Sequence, residues 1–525
     1  MLSSQKSLAN FIYKAVEEFT SLIAIKIGDR LISYKELNEN ALHVANMLFE
    51  NGANDETIGI VGQRKASSYF GILGILYSGC NYTPLNPNYS KARLLSIMKS
   101  SNVKFIVGDK QDLINFFQII GDDYRLHGVI LPEGVPPDGK PWISKSNHFK
   151  INKPLIKLSH DIAYILFTSG STGFPKGVQV MNSNVVSFIK GMNSIYKLDP
   201  GFNASQIFDL SFDPSVSDMF FTWCNGGVLC VLPEEEKMSP NEYIVREDIH
   251  FWNSVPSLAS FMLKMGSLKP GSFPSIRNSM FCGEQFPKNT ADAWRISAPN
   301  STIENLYGPT EATIYITRYK YEVTDQIKKF RNNIIPIGNP LSNQKVEIVN
   351  ENNIPVKKGD IGEICFKGSQ VTKGYLNDDA KTNEVFVEFN WDKEDKANKW
   401  YKTGDLGFVN SYGSIECIGR KDSQIKIAGR RIEIGEIESI FQKFEPLSDI
   451  IIVPIRDQSE IVVGCVGFST VQITKEIEFN IRKKSEIFLE KVFFPKKIIF
   501  IENFPLSHSG KINRKELEQI AKNYI

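Results

Sequence analysis

Apolar positions recur in two rhythms along this chain. After Ser33, which forms a capping-box pattern with Glu36, residues Leu37, Ala41, Val44 and Leu48 fall on one helical face and predict a surface helix. Short β-rich runs at 56–61, 103–107 and 128–131 alternate with helical stretches, the rhythm of a layered α/β domain. A proline-rich connection at 132–154 leads into a further predicted strand at 163–167. Near the other end, Ile434, Ile437 and Phe441 give a second helix an apolar stripe.

Composition narrows the class. At 525 residues the chain exceeds one core and suits a large domain of subdomains plus a smaller one. Its 42% hydrophobic and 23% charged content is that of an ordinary globular protein. With 61 basic against 59 acidic residues there is no basic field for a polyanion, so nucleic acid is not an expected partner. The seven cysteines are scattered and never form Cys-x-x-Cys, which predicts buried thiols in a reducing cytoplasm. No signal peptide opens the chain, and the longest apolar run, 69–77, is too short for a membrane span. A cytoplasmic monomer without membrane contact is expected. The acidic run 234–236 and the basic run 482–484 read as solvated faces.

The candidate chemistry begins at 167–177, Phe-Thr-Ser-Gly-Ser-Thr-Gly-Phe-Pro-Lys-Gly, directly after the predicted strand. Glycines let the backbone approach an anion while hydroxyls and Lys176 add donors and charge, as a phosphate cradle requires. The order is not that of a Walker A loop, since Gly177 follows Lys176. Alone, the string also fits a flexible turn. Further motifs stand in order: Ser-Tyr-Lys-Glu-Leu-Asn at 33–38, Tyr-Ser-Gly-Cys-Asn-Tyr-Thr-Pro at 77–84, Asn-Leu-Tyr-Gly-Pro-Thr-Glu at 305–311, Tyr-Lys-Thr-Gly-Asp at 401–405, Gly-Arg-Lys-Asp at 419–422 and Pro-Leu-Ser-His-Ser-Gly-Lys at 505–511.

Together these motifs resemble the adenylate-forming superfamily of acyl-CoA ligases, luciferases and amino-acid adenylation domains, over residues 32–517. The resemblance implies a large N-terminal domain, 1–421, of layered α/β subdomains with a β-barrel-like subdomain. A small mobile α+β lid, 423–525, would pivot at Asp422. It also implies ATP and Mg2+ as cofactors. Thr168, Ser169, Gly170, Ser171, Thr172, Gly173 and Lys176 would hold phosphates, Glu311 the metal, and Asp405 with Arg420 the ribose. Gly283, Asn305, Tyr307, Gly308 and Thr310 would complete the nucleotide site, and Lys511 would bridge the attacking carboxylate and the α-phosphate. On residue type alone, Glu311 also fits a helix-start carboxylate and Lys511 a solvated terminal charge. His508 replaces a frequent Pro or Asn, and Lys402 and Ala428 stand where relatives often have Arg.

The segment 212–220, Phe-Asp-Pro-Ser-Val-Ser-Asp-Met-Phe, resembles the substrate pocket of amino-acid adenylation domains. Asp213 would there pair with the substrate ammonium, although it also reads as a helix N-cap before Pro214. Motif spacing adds Pro214, Ser217, Asn253, Met280, Cys282, Leu306, Ile314 and Tyr315 to the lining, a neutral set suiting cysteine, serine, threonine, alanine or proline. No carrier domain follows Lys511, so a free-standing enzyme is expected, loading an amino acid onto the phosphopantetheine thiol of a separate carrier protein. The alternatives are an acyl-CoA ligase for a small carboxylic acid and an inactive ATP-binding scaffold.

Overall fold

The computed structural model describes residues 7–135, 142–146, 150–155, 157, 161–168, 175–393, 398–421, 424–447, 449–457, 462–505 and 512–523. The cradle residues Ser169, Gly170, Ser171, Thr172 and Gly173, the pivot Asp422, His508 and Lys511 lie outside the described residues.

Two large sheets form the body. In the first, Trp142–Ile143, Gly128–Ile130, Phe105–Gly108, Thr57–Val61, Asn81–Leu85 and Ile162–Thr168 run parallel, and Lys176–Met181 returns antiparallel at the edge. All four strands expected from the sequence sit in this sheet. In the second, Asn203–Gln206, Phe251–Ser254, Asn278–Cys282 and Thr302–Tyr307 form a parallel centre. Val228–Val231 and Ile23–Ile27 extend it in parallel on one side, and Thr317–Tyr321 closes the other antiparallel. Open parallel sheets bind ligands beyond their carboxyl ends, and Thr168, Cys282 and Tyr307 each end a strand there.

The first predicted helix is Tyr34–Glu50, with Leu37, Ala41, Val44 and Leu48 all buried. The Ser33 hydroxyl accepts from the Glu36 N–H, but the Glu36 carboxylate turns to Arg30 at 3.0 Å, so only half of the capping box forms. The apolar run at 69–77 lies in the helix Ala66–Tyr77, every residue of which is buried. A helix apolar on all sides needs core around it. Here a single core cluster runs from Ile58, Ile60 and Tyr82 of the first sheet through Tyr69 and Leu73 to Ile25 and Leu229 of the second.

The barrel-like subdomain takes the form of an antiparallel sheet of Gln344–Val349, Gly362–Gly368, Trp400–Val409, Phe386–Val387 and Ile415–Arg420. After it come the hairpin Gln424–Ile427/Arg430–Glu433, the helix Ile434–Phe441 and the sheet Ile451–Arg456, Val462–Ser469, Ile498–Phe500. Ile434, Ile437 and Phe441 are buried in a cluster whose residues all follow 424. Among the described residues no apolar cluster joins this region to the body.

The helix pair Tyr34–Glu50 and Ala66–Tyr77 meets at Gly74, where an added Cβ would stand 2.7 Å from the Ala41 carbonyl oxygen and 2.6 Å from Val44 Cβ. Alanine normally stabilises a helix by about 1 kcal/mol over glycine. Overpacking against backbone costs about 1–3 kcal/mol, so Gly74→Ala is expected to lower the melting temperature. A calorimetric Tm at or above wild type would show that the two helices separate freely.

Candidate active site

Two adjoining cavities open at the carboxyl ends of the sheets, about 620 and 150 Å3 in volume, and Asp405, Arg420, Lys426 and Gly283 line both. Asp405 and Arg420 are register partners on neighbouring strands, and Arg420 Nη1 donates to Asp405 Oδ1 at 3.0 Å. The Tyr307 hydroxyl donates to the other Asp405 oxygen. Asn305 donates to the carbonyls of Ile335 and Pro336 at 3.0 Å each, which ties two segments of the smaller cavity's wall together.

The stretch between Tyr307 and Tyr315 is strained. Thr313 and Ile314 hold φ of 55° and 70°, the left-handed region that β-branched residues avoid at a cost of roughly 1–3 kcal/mol each. Gly308 permits the fold-back, because a Cβ there would meet the Ile314 carbonyl oxygen at 2.4 Å. Gln370, fully buried, clamps the turn: its amide donates to the carbonyls of Thr313 and Tyr315, and the Thr313 hydroxyl donates to the Gln370 carbonyl at 2.6 Å.

That turn sets two carboxylates. Asp213 heads the short helical segment Pro214–Val216, but its side chain makes no cap bond. Instead it lines the larger cavity. Burial pushes its pKa up to about 7, against the lowering effect of the Thr310 hydroxyl and the Ile314 N–H, and its Oδ2 has no hydrogen-bond partner among the described residues. Glu311 is buried too. Burial raises its pKa, but the Arg431 guanidinium and the Tyr375 hydroxyl outweigh this and hold it below the usual carboxylate range. Both partners engage Oε1, Tyr375 at 2.7 Å and Arg431 at 3.4 Å, and Oε2 has no hydrogen-bond partner among the described residues. Lys176 stands 6.0 Å from the Tyr375 ring centroid, its pKa lowered by burial and by the charges of Lys381 and Arg431. Thr168 lines the larger cavity.

Of the expected substrate lining, Asp213, Pro214, Cys282, Ile314 and Tyr315 face the larger cavity, with Gly308 and Thr310 beside them. Leu306 faces the smaller one, and Ser217, Asn253 and Met280 are buried behind the wall. Asp218, absent from the neutral set drawn from the sequence, lies in this layer and accepts from the Asn253 amide at 2.8 Å. Its neighbour in sequence, Ser217, opens a π-helical turn, Ser217–Phe221, a feature that often marks functional sites. Lys402 pairs with Asn353 and Glu363, away from both cavities.

The hairpin tip Ala428–Gly429 enters the larger cavity, and the Gly429 N–H donates to Glu284 at 2.8 Å. The second Glu284 oxygen accepts from the Ser257 N–H. Behind the tip, Arg430 pairs with Glu490, which also meets Arg93 of the body at 3.5 Å. Gln370, Tyr375 and Arg431 were not among the residues singled out from the sequence. They acquire roles only through burial against Glu311 and its turn.

Residues 12–376 match the AMP-binding enzyme family, and the chain belongs to it. It is an adenylation domain of the nonribosomal peptide synthetase type. It is 32% identical to Zwittermicin A synthase ZmaJ of Bacillus cereus over 94% of this chain and 91% of that protein. It is 30% identical to Tyrocidine synthase 3 of Brevibacillus parabrevis over 98% of this chain, but spans only 8% of that much longer relative. The fold matches the Vibrio cholerae adenylation domain AlmE, solved in complex with glycyl-adenosine-5'-phosphate, with a TM-score of 0.86 at 26% identity over 100% of this chain and 98% of that one. It also matches PA1221, a synthetase protein with adenylation and PCP domains, with a TM-score of 0.80 at 20% identity over 98% of this chain and 84% of that one.

The raised pKa of Asp213 makes its ionisation destabilising. In the unfolded chain it ionises near 3.9, and in the folded protein near 7. Its protonated form therefore favours the fold at low pH, and that advantage disappears as pH rises through 7. Asp213→Asn should match wild-type stability near pH 4 and exceed it increasingly up to pH 7, with a plateau on the order of 4 kcal/mol at 1.36 kcal/mol per pKa unit. Denaturant unfolding of both proteins at pH 4, 6 and 8 measures this; a constant difference would show that Asp213 ionises normally.

Proposed function

We propose that this enzyme adenylates a neutral amino acid and then transfers it to the phosphopantetheine thiol of a separate carrier protein. The observation that supports this most directly is the Asp213 carboxylate, buried in the cavity wall with one oxygen unpartnered. A buried anion is costly unless a cation meets it, and the α-ammonium of an amino acid supplies that cation. A fatty or aryl acid would leave the carboxylate unpaired. The glycyl adenylate held by AlmE is consistent with the same substrate class.

In the first half-reaction a carboxylate oxygen of the amino acid bonds to the α-phosphorus, the bond to the β-phosphate bridge breaks, and pyrophosphate leaves with the electron pair. The acid is already ionised near neutrality, so no general base is needed. The work is positioning and charge neutralisation. Asp405 accepts the ribose hydroxyls beside Arg420, Tyr307 and Asn305 border the base, and Thr168 to Lys176 receive the outer phosphates. Lys511 bridges the carboxylate and the α-phosphate. Glu311 suits magnesium, because its free Oε2 is a hard anionic ligand and this metal commonly binds through one carboxylate plus substrate phosphates. Magnesium would neutralise phosphate charge when bound.

The second half-reaction belongs to a turned lid. Residues 1–421 form the body and 423–525 the lid, with Asp422 as pivot. The entry of Gly429 into the cavity and its bond to Glu284 are the contacts expected when that loop faces the incoming thiol.

Asp213→Ala should lower kcat/KM for the amino acid by a hundredfold or more, about 3–5 kcal/mol, in ATP–pyrophosphate exchange. Undiminished exchange, or exchange only with acids lacking an amine, would overturn the amino-acid assignment. The lid is tested separately. Lys511→Ala should abolish exchange yet load a carrier from preformed aminoacyl-AMP, whereas Asp422→Pro, which fixes φ at the pivot, should retain exchange and lose loading. Proportional loss of both activities in both folded variants would refute the two-state lid.

A further inference from the structure

Behind the cavity wall, polar groups form a directed network. Asn253 is 1% exposed, and both of its amide protons are used, one on Asp218 Oδ1 at 2.8 Å and one on the Tyr315 hydroxyl oxygen at 2.9 Å. This fixes the amide, with its carbonyl oxygen toward Cys282 Sγ at 3.9 Å. Its own N–H is held by Ser205 Oγ at 3.0 Å, so the residue cannot turn.

The network leaves hydrogen-bonding capacity at the cavity. The Tyr315 oxygen accepts from the Asn253 amide and from the Cys282 thiol, 3.5 Å away, and its own proton has no acceptor among the described residues. Tyr315 and Cys282 both line the cavity. Immediately behind, Ser217 Oγ and Asp218 Oδ2 are buried without a hydrogen-bond partner among the described residues. The unused Tyr315 proton at the cavity is a penalty that an aliphatic side chain in the pocket could not relieve. A small side chain with its own hydroxyl could accept from Tyr315 and donate in return.

From this arrangement, and resting on the amino-acid reading above, we propose that the pocket selects an amino acid with a small hydroxyl-bearing side chain. Tyr315 is the contact residue, and Asp218 is a positioning residue that acts through Asn253. A hydrophobic pocket distinguishes a hydroxyl from an isosteric methyl only weakly, whereas a site built to hydrogen-bond the hydroxyl rejects the analogue strongly, because its own polar groups are left unpaired.

The test is ATP–pyrophosphate exchange with two isosteric pairs, serine against 2-aminobutyrate and threonine against valine, together with asparagine, lysine and the deaminated acids. Wild type should favour a hydroxyl member over its isostere by at least tenfold in kcat/KM. In Tyr315→Phe and Asp218→Asn that ratio should fall to within about threefold, while the preference for amino acids over deaminated acids persists. A purely structural role for Asp218 would lower all rates and leave the ratio alone. Tyr315→Phe keeps the ring and tests the contact even if the Asp218 variant fails to fold. Equal use of valine and threonine, a preference for asparagine or lysine, or an unchanged ratio in both folded variants would overturn the proposal. Exchange with deaminated acids alone would instead remove the amino-acid reading itself, through loss of dependence on Asp213.

Discussion

The active site depends on one strained turn being held in place. Thr313 and Ile314 occupy a backbone region that β-branched residues avoid, and the buried Gln370 amide holds them there from two carbonyls. Because the turn is fixed, its flanks are fixed too. Tyr307 on one side meets Asp405, Glu311 stands at the bend, the Ile314 N–H supports Asp213, and Tyr315 faces Asn253. Nine residues thus contribute walls to both cavities. The clamp's three hydrogen bonds, two from the Gln370 amide and one from the Thr313 hydroxyl, offset part of the backbone strain.

The contacts of the hairpin add a second electrostatic relation. Glu311 is negative and buried, and Arg431 approaches it from the hairpin across the cleft. Glu284 receives the neighbouring Gly429 N–H. Both body carboxylates therefore take donors from one short hairpin. The apolar clusters of the two regions remain separate, so polar contacts of this kind hold the hairpin in the cleft. A buried ion pair adds little net stability once the desolvation of both charges is counted.

Much of this was legible in the chain because it is local. Ser33 announces its helix, the period of Leu37, Ala41, Val44 and Leu48 gives the buried face, and the apolar run before Thr168 gives the strand. Motif order indicated the family and brought Asp213, Glu311, Asp405 and Arg420 forward together. What could not be read was tertiary. Gln370 lies in no motif, and its importance arises only where the chain returns beside Thr313. Asp218 is absent from the lining set drawn from the sequence, and only the wide turn at Ser217–Phe221 and its bond with Asn253 reveal it. The Glu36 side chain pairs with Arg30, a partner three residues upstream of the cap that the capping pattern alone does not weigh.

The seven cysteines acquire a different meaning once the chemistry is considered. An enzyme that makes a mixed anhydride must keep its own thiols from intercepting it. Cys282 lines the cavity in which that anhydride would form, and burial pushes its pKa up, with the nearby Asp213 and Asp218 charges acting in the same direction. A thiol so held is protonated, and the nucleophile is the thiolate. Burial raises the pKa of the other six as well, including Cys417 in the smaller cavity. Burial, reinforced by the carboxylates beside the pocket, thereby keeps the Cys282 sulfur protonated and unreactive next to the anhydride.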